Sequence, residues 1–289
     1  MQTTNEINNK FICFNGLFIS NKTAIVDASN RGLKYGDGFF ETLRIINNKI
    51  VLKELHFNRL FNALQALHFE QPNFLTSDFL EEKILNLIQK NNFTTAAKVR
   101  INIFRGNGNL FEIENNYPNY IIEAEPLPNQ FYEWDKTGLK VDFFIDAKKV
   151  CDNFSHLKTN NFLPYSMAAF WAKKNNLHSA IILNQHNCVA DSAIANVWVI
   201  KNGEIQTPAL TQGCIDGVMR KYLIKCFKEE GLPFKETALT IEDIVQAQEV
   251  FLTNVIKGIS WVKFCGKTEY TNTTTQFIYS KFVHTLNSY

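Results

Sequence analysis

Two-residue turns built from asparagine and glycine constrain this chain more than any other feature. Asn15-Gly16 separates the apolar runs Phe11 to Phe14 and Leu17 to Ile19, and Asn47-Asn48 separates Glu41 to Ile46 from Lys49 to Leu52. A third pair, Asn202-Gly203, follows the run Val189 to Ile200. Asparagine and glycine tolerate the positive φ that a tight hairpin needs, so these pairs turn a strand back beside its predecessor. Strands joined this way do not alternate regularly with helices, which points away from a doubly wound α/β sheet and toward α+β or barrel-like lobes.

Helical periods appear between the hairpins. Phe57, Leu60, Phe61, Leu64 and Leu67 recur at helical spacing, and a second helix is predicted to begin at Asp78, with Glu81 three residues on as a capping box. Strands are expected at Val99 to Phe104 and Tyr120 to Glu123. The stretch EPLPNQFYEW carries two of the seven prolines and breaks both periods. A linker at 126–134 is therefore expected, between an N-terminal lobe, 1–125, and a C-terminal lobe, 135–289. The second lobe reads as a strand at Leu139 to Ile145, a helix around Pro164 to Lys174, and strands at Ala180 to Leu183 and Val189 to Ile200. Then come a helix near Val218 to Glu230, a short one from Thr240, strands at Val250 to Thr253 and Ser260 to Phe264, and a final helix ending near Leu286.

Composition sets the outer limits. A chain of 289 residues that is 45% hydrophobic can bury a core in each lobe. Lys and Arg total 30 against 28 Asp and Glu, and no basic run would track a phosphate backbone, so nucleic acid is not an expected partner. No run approaches the ~18 apolar residues of a membrane span. The polar start, Met1 to Lys10, lacks the order of a secretory signal. Six scattered cysteines suit reduced thiols in a cytoplasm, and no Cys and His spacing reads as a metal site. No metal and no membrane partner are expected.

A few residues stand out chemically. Lys158 is the one formally charged residue in LKTNNFLPYSMAAFW. Desolvated there, it suits an amine nucleophile toward a carbonyl; a lysine whose stem lies on apolar surface while its ammonium reaches water explains the window as well. Asp191 is the only charged residue between Ala180 and Ile200. Such a buried acid needs a partner, either a structural cation or a cationic heterocycle nitrogen. Arg59, off the apolar stripe of its helix, is either a solvated residue or an anion contact. Gly213 and Gly217 precede VMRK at a helix start, where backbone N–H groups can hold phosphate, although a tight turn explains them equally. YGDGFFET and the Gly106 window lack the third glycine of a dinucleotide fingerprint.

Taken in order, SNRGLKYGDGFFET, HFNRL, LKTNNFL, VADSAIANVW with TPAL, and GVMR followed by EVFLTN resemble the class IV pyridoxal-phosphate enzymes. These comprise D-amino-acid transaminase, branched-chain aminotransferase and aminodeoxychorismate lyase. The resemblance runs from Asn15-Gly16 to about Gly266. It implies the two-lobed fold type IV, with an N-terminal α/β sandwich lobe and a barrel-like C-terminal lobe, and pyridoxal 5′-phosphate as cofactor. By the family pattern Lys158 holds the cofactor covalently and shuttles the substrate proton. Arg59 grips its phosphate with the N–H groups of Val218 and Met219 and with Asn254. Asp191 falls where the family has glutamate against the pyridine nitrogen, and Asn30 replaces the usual aspartate before Arg31-Gly32.

Lys158, Asn161 and Leu163 match the K-x-x-N-x-L of the D-amino-acid transaminase and the lyase. TPALTQGCIDGVMR, the Asn254 window and Thr42 look closest to the lyase. Phe40 and Arg100 resemble the branched-chain pattern instead, and the loop after Arg105-Gly106 lacks the carboxylate arginine of the other two branches. The resemblance thus places Tyr35, Phe40, Thr42 and Arg100 at a small amine and carboxylate substrate. It implies a cytoplasmic homodimer, and its closest branch is the lyase that forms 4-aminobenzoate and pyruvate. Amino-acid transamination of branched-chain or D-amino-acid type is the close second, and a non-catalytic binding protein of the same fold, against which the intact Lys158 window argues, is the third.

Overall fold

The computed structural model describes residues 10–112 and 114–288; the polar start read above, up to residue 9, lies outside them. The chain divides into two compact units. The first runs to Phe131 and also takes in Thr159–Asn161, and the second comprises Tyr132–Lys158 and Phe162–Ser288.

The first unit contains β1 (Phe11–Phe14), β2 (Leu17–Ser20), α1 (Arg31–Tyr35), β3 (Gly38–Ile46), β4 (Lys49–Ile50), α2 (Lys53–Ala66), α3 (Ser77–Lys90), β5 (Ala96–Arg105) and β6 (Pro118–Pro126). Its six strands form one antiparallel sheet in the order β2-β1-β6-β5-β3-β4. Both asparagine turns are where the sequence puts them: Asn15 and Gly16 have φ of 48° and 86°, and Asn47 and Asn48 of 49° and 59°. Alternation along β3 sends Phe39, Glu41, Leu43 and Ile45 to one face and Phe40, Thr42 and Arg44 to the other. The first face meets α2, because Glu41 bonds to His56 and Arg59 of that helix. The third helix is capped earlier than expected. Thr76 is its cap, accepting from the Phe79 N–H at 3.2 Å, while Glu81 pairs with Lys53 rather than closing a box on Asp78. The tripeptide after Lys158 completes this unit: the Asn160 N–H donates to the Gly38 carbonyl at 2.9 Å, and Thr159 bridges Phe39.

The second unit contains β7 (Leu139–Lys149), α4 (Leu163–Lys174), β8 (Ser179–Asn184), β9 (Val189–Ser192), β10 (Asn196–Lys201), β11 (Glu204–Pro208), α5 (Val218–Glu229), β12 (Phe234–Thr237), α6 (Ile241–Val245), β13 (Glu249–Asn254), β14 (Gly258–Cys265), β15 (Thr268–Glu269) and α7 (Thr273–Ile278). Its strands run in the order β12-β11-β10-β13-β14-β7-β8-β9, with β15 beside β14. Although β9 ends that order, it lies against β10 and β11, so the sheet curls into a half-barrel. One face buries a core that includes Val141, Ile181, Val197, Val250 and Val262. The other packs Phe144, Ala180 and Ile182 against Tyr165, Ala168 and Ala172 of α4.

The apolar run read as one strand from Val189 to Ile200 is two. Ser192 turns it, giving both its N–H (2.8 Å) and its hydroxyl (3.0 Å) to the Ala195 carbonyl. β9 then pairs with β8, and β10 with β11 and β13. Ala193, Ile194 and Ala195 carry no turn residue that would announce the break.

Candidate active site

In the second unit Lys158 lies in the loop between β7 and α4, half-buried, with Nζ 5.5 Å from the centre of the Phe162 ring. Phe162 in turn stacks on Tyr165 in the first turn of α4, at 4.3 Å and 15° between planes. The Tyr165 hydroxyl donates to Asp191 Oδ2 at 2.6 Å. Asp191 pairs with Ile182 across β8 and β9 and is 2% exposed. Its other donors are the Ile215 N–H to Oδ2 (2.9 Å) and Asn196 Nδ2 to Oδ1 (2.9 Å). The acid expected to be buried therefore is, and it is held by three neutral groups.

Electrostatics follow from that placement. Burial pushes the Asp191 carboxyl up to about 6, against the opposing pull of Tyr165, Ile215, Lys149 and Asn196. Tyr165 is pushed well above a free phenol by burial and by the Asp191 charge. Lys149, at the end of β7, was not picked out by the sequence. Its Nζ stands 4.9 Å from the centre of the Tyr165 ring, and burial lowers its pKa while Asp191 and Asp152 raise it.

The entry to α5 adjoins this network. Val218 and Met219 are the first two helical residues, both buried, and first-turn N–H groups have no acceptor within their own helix. Gly217 precedes them, and a Cβ there would lie 2.0 Å from Asn196 Oδ1, so the residue is glycine for close approach. The Asp216 N–H donates to the His156 carbonyl at 3.0 Å, which ties the segment before α5 to the segment before Lys158. Asn254, at the end of β13, accepts the N–H groups of Ile256 (2.9 Å) and Lys257 (2.8 Å) and donates to the Ile194 carbonyl at 3.2 Å. Its carboxamide thus shapes a turn.

In the first unit the solvated reading of Arg59 is corrected. The residue is 8% exposed, with Nε donating to Glu41 Oε2 at 2.9 Å and Nη2 donating to Oε1. His56 Nδ1 lies 2.9 Å from the same Oε1. Glu41, on the facing strand, makes the burial tolerable. On the opposite face of the sheet, Thr42 pairs directly with Arg100 across β3 and β5, and Phe40 pairs with Asn102. The Arg100 guanidinium lies 3.7 Å over the Phe40 ring; burial lowers its pKa and Glu123 opposes that. Tyr35 ends α1, partly exposed, with Lys34 Nζ 5.2 Å from its ring centre. Each unit thus gathers its own share of the expected residues: Tyr35, Phe40, Thr42, Arg59 and Arg100 in one, and Lys158, Asp191, Val218, Met219 and Asn254 in the other.

The family model for amino-transferase class IV matches residues 38–264. The chain belongs to the class IV aminotransferases. A provisionally named branched-chain-amino-acid aminotransferase of Methanocaldococcus jannaschii is 29% identical over 251 residues, covering 86% of this chain and 85% of that protein. Aminodeoxychorismate lyase of Bacillus subtilis is 27% identical over 251 residues, covering 86% and 84%. Among solved structures, the branched-chain aminotransferase of Thermoproteus uzoniensis with norvaline superposes with a TM-score of 0.84 at 20% identity, over 96% of this chain and 95% of that one. The fold is that of the fold type IV aminotransferases, and the protein is an enzyme whose cofactor is pyridoxal phosphate.

The class IV residues fit that group. A half-buried lysine that could take its aldehyde, a wholly buried carboxyl that could face its ring nitrogen and a helix entry that could hold its phosphate all lie in the second unit. When bound, pyridoxal phosphate draws off the electron pair of the bond broken at the amine-bearing carbon. Tyr165 and Lys149 were missed because nothing local marks them. Tyr165 reads as one more aromatic of α4, and Lys149 as one of two lysines in DAKKV.

Proposed function

We propose that this class IV enzyme removes pyruvate from 4-amino-4-deoxychorismate to give 4-aminobenzoate, as a cytoplasmic homodimer acting on a small amine and carboxylate substrate. The observation that carries the reading is Thr42, the residue of the lyase pattern, set directly opposite Arg100 across β3 and β5. A guanidinium with a hydroxyl across from it recognises a carboxylate in two-point fashion. Lys158 takes the proton from the amine-bearing carbon, which lets the neighbouring enolpyruvyl ether leave. Arg59, the N–H groups of Val218 and Met219, and Asn254 are assigned to the cofactor phosphate, and Asp191 to its ring nitrogen. Tyr35 and Phe40 flank the substrate.

A second reading, amino-acid transamination of branched-chain or D-amino-acid type, is favoured by Arg100 stacking on Phe40 and by transaminase relatives as close as the lyases. Elimination needs no second substrate, so the purified protein should release pyruvate continuously from aminodeoxychorismate with no keto acid present. A transaminase given only an amino acid stops after one equivalent of product and restarts when 2-oxoglutarate or pyruvate is added. Arrest of that kind, with no pyruvate from aminodeoxychorismate, would replace the lyase with the transaminase.

A further inference from the structure

Asp191 is wholly buried, and its three direct partners are a phenol, a carboxamide and a backbone amide. None carries charge. A carboxylate taken out of water loses more solvation than neutral hydrogen bonds return, so an ionised Asp191 depends on a cation within electrostatic reach. A cation reaches Asp191 through Tyr165: Lys149 lies over the ring whose hydroxyl bonds to the carboxylate. Its Nζ stands 4.9 Å from the centre of the Tyr165 ring and donates to the Ser155 carbonyl at 3.3 Å. The other titratable groups around the pair are Tyr165 on α4, Cys214 before α5, and Asp152 and Cys151 just beyond β7. The two acids draw on the same ammonium, and the buried thiol is held neutral by burial.

Tyr165 is well suited to hand that charge on. Its ring is 3% exposed, packed among Phe144, Ala168 and Ile182, and clamped against Phe162. Pro164 precedes it in the first turn of α4, with φ fixed at its own position by the ring. A phenylalanine would pack as well. What the hydroxyl adds is a donor fixed 2.6 Å from one carboxylate oxygen, and an ammonium near the ring polarises that O–H toward the acceptor.

We propose that Tyr165 and Lys149 are positioning residues for Asp191: the tyrosine fixes one carboxylate oxygen, and the lysine over its ring supplies the charge that keeps the carboxylate ionised before any cationic heterocycle reaches it. The inference rests on the assignment of Asp191 to the cofactor ring nitrogen. Removing the lysine charge leaves a buried carboxylate with neutral donors alone, which holds its proton to higher pH. Removing the hydroxyl acts in the same direction.

The test is infrared titration of the full-length protein carrying 13C-carboxyl aspartate, without cofactor, with the Asp191 band identified by its loss in Asp191→Asn. Lys149→Met and Lys149→Gln should each move the Asp191 midpoint up by roughly one pH unit, Tyr165→Phe should move it the same way, and Lys149→Arg should restore it. Two neutral lysine variants guard against a folding failure of either. A midpoint that stays put in the neutral variants and in Tyr165→Phe would overturn the proposal, whatever happens to thermal stability. The assignment beneath it is tested separately: Asp191→Asn that binds pyridoxal phosphate and turns over like the parent overturns that assignment, and with it the purpose ascribed to Lys149.

Discussion

Glu41 in the first unit and Asp191 in the second are both wholly buried carboxyls on β-strands, and they move in opposite directions. Burial raises both. Glu41 touches Arg59 and His56 directly, and the Arg59 charge together with the His56 contact outweighs burial and holds it well below the usual carboxylate range. Among the described residues Asp191 touches only neutral donors, and burial takes it up to about 6. The depth is the same and the nearest partner differs, so contact with a cation, rather than burial as such, decides the state of a core acid. One carboxyl is permanently charged and holds a helix to a sheet. The other sits close enough to neutrality to respond to whatever binds beside it.

The contrast is most easily broken at Glu41. Glu41→Gln leaves the Arg59 guanidinium buried without its anion, and urea unfolding should show a loss of about 3–5 kcal/mol. A loss below about 1 kcal/mol would mean that the pair contributes little. Acid and alkali should then separate the two sites. Asp191 binds its proton more tightly folded than unfolded, so its contribution is complete below its ordinary value near 3.8 and disappears as pH rises through about 6. That amounts to about 3 kcal/mol, for a shift of about two units. Glu41 does the reverse: its contribution is present above 4.5 and is lost as pH falls. Urea midpoints between pH 3 and pH 7 should lose their upper slope in Asp191→Asn and their lower slope in Glu41→Gln. The smallest expected effect is on turnover. Asp191→Asn should cut it about 100-fold, or about 2.7 kcal/mol, with stability at neutral pH unchanged or improved. Steady-state rates with cofactor in excess would show it, and an unchanged rate would make Asp191 a structural acid like Glu41.

What the sequence reveals depends on how locally each feature is encoded. The hairpins at Asn15-Gly16 and Asn47-Asn48 are legible because positive φ is a demand on those residues alone. The α3 cap is misplaced by two residues because Thr76 and Asp78 both offer an oxygen, and the choice between them lies in how the helix meets the sheet. Lys158 and Asp191 are visible as lone charges in apolar windows. The solvated reading of Arg59 fails because the anion that buries it is Glu41, eighteen residues away on a facing strand. Lys149 and Tyr165 carry no signal at all, because each acquires its role from a fold that brings the end of β7 to the first turn of α4.

The tripeptide after Lys158 has a bearing on the order in which the molecule is made. Asn160 closes on Gly38 across about 120 residues of chain, a contact that contributes little to a nascent polypeptide until everything between has been synthesised and largely ordered. Every strand of the first unit's sheet leaves the ribosome before Lys158 does. The lysine is followed immediately by a segment whose backbone partners, Gly38 and Phe39, belong to a strand synthesised long before it.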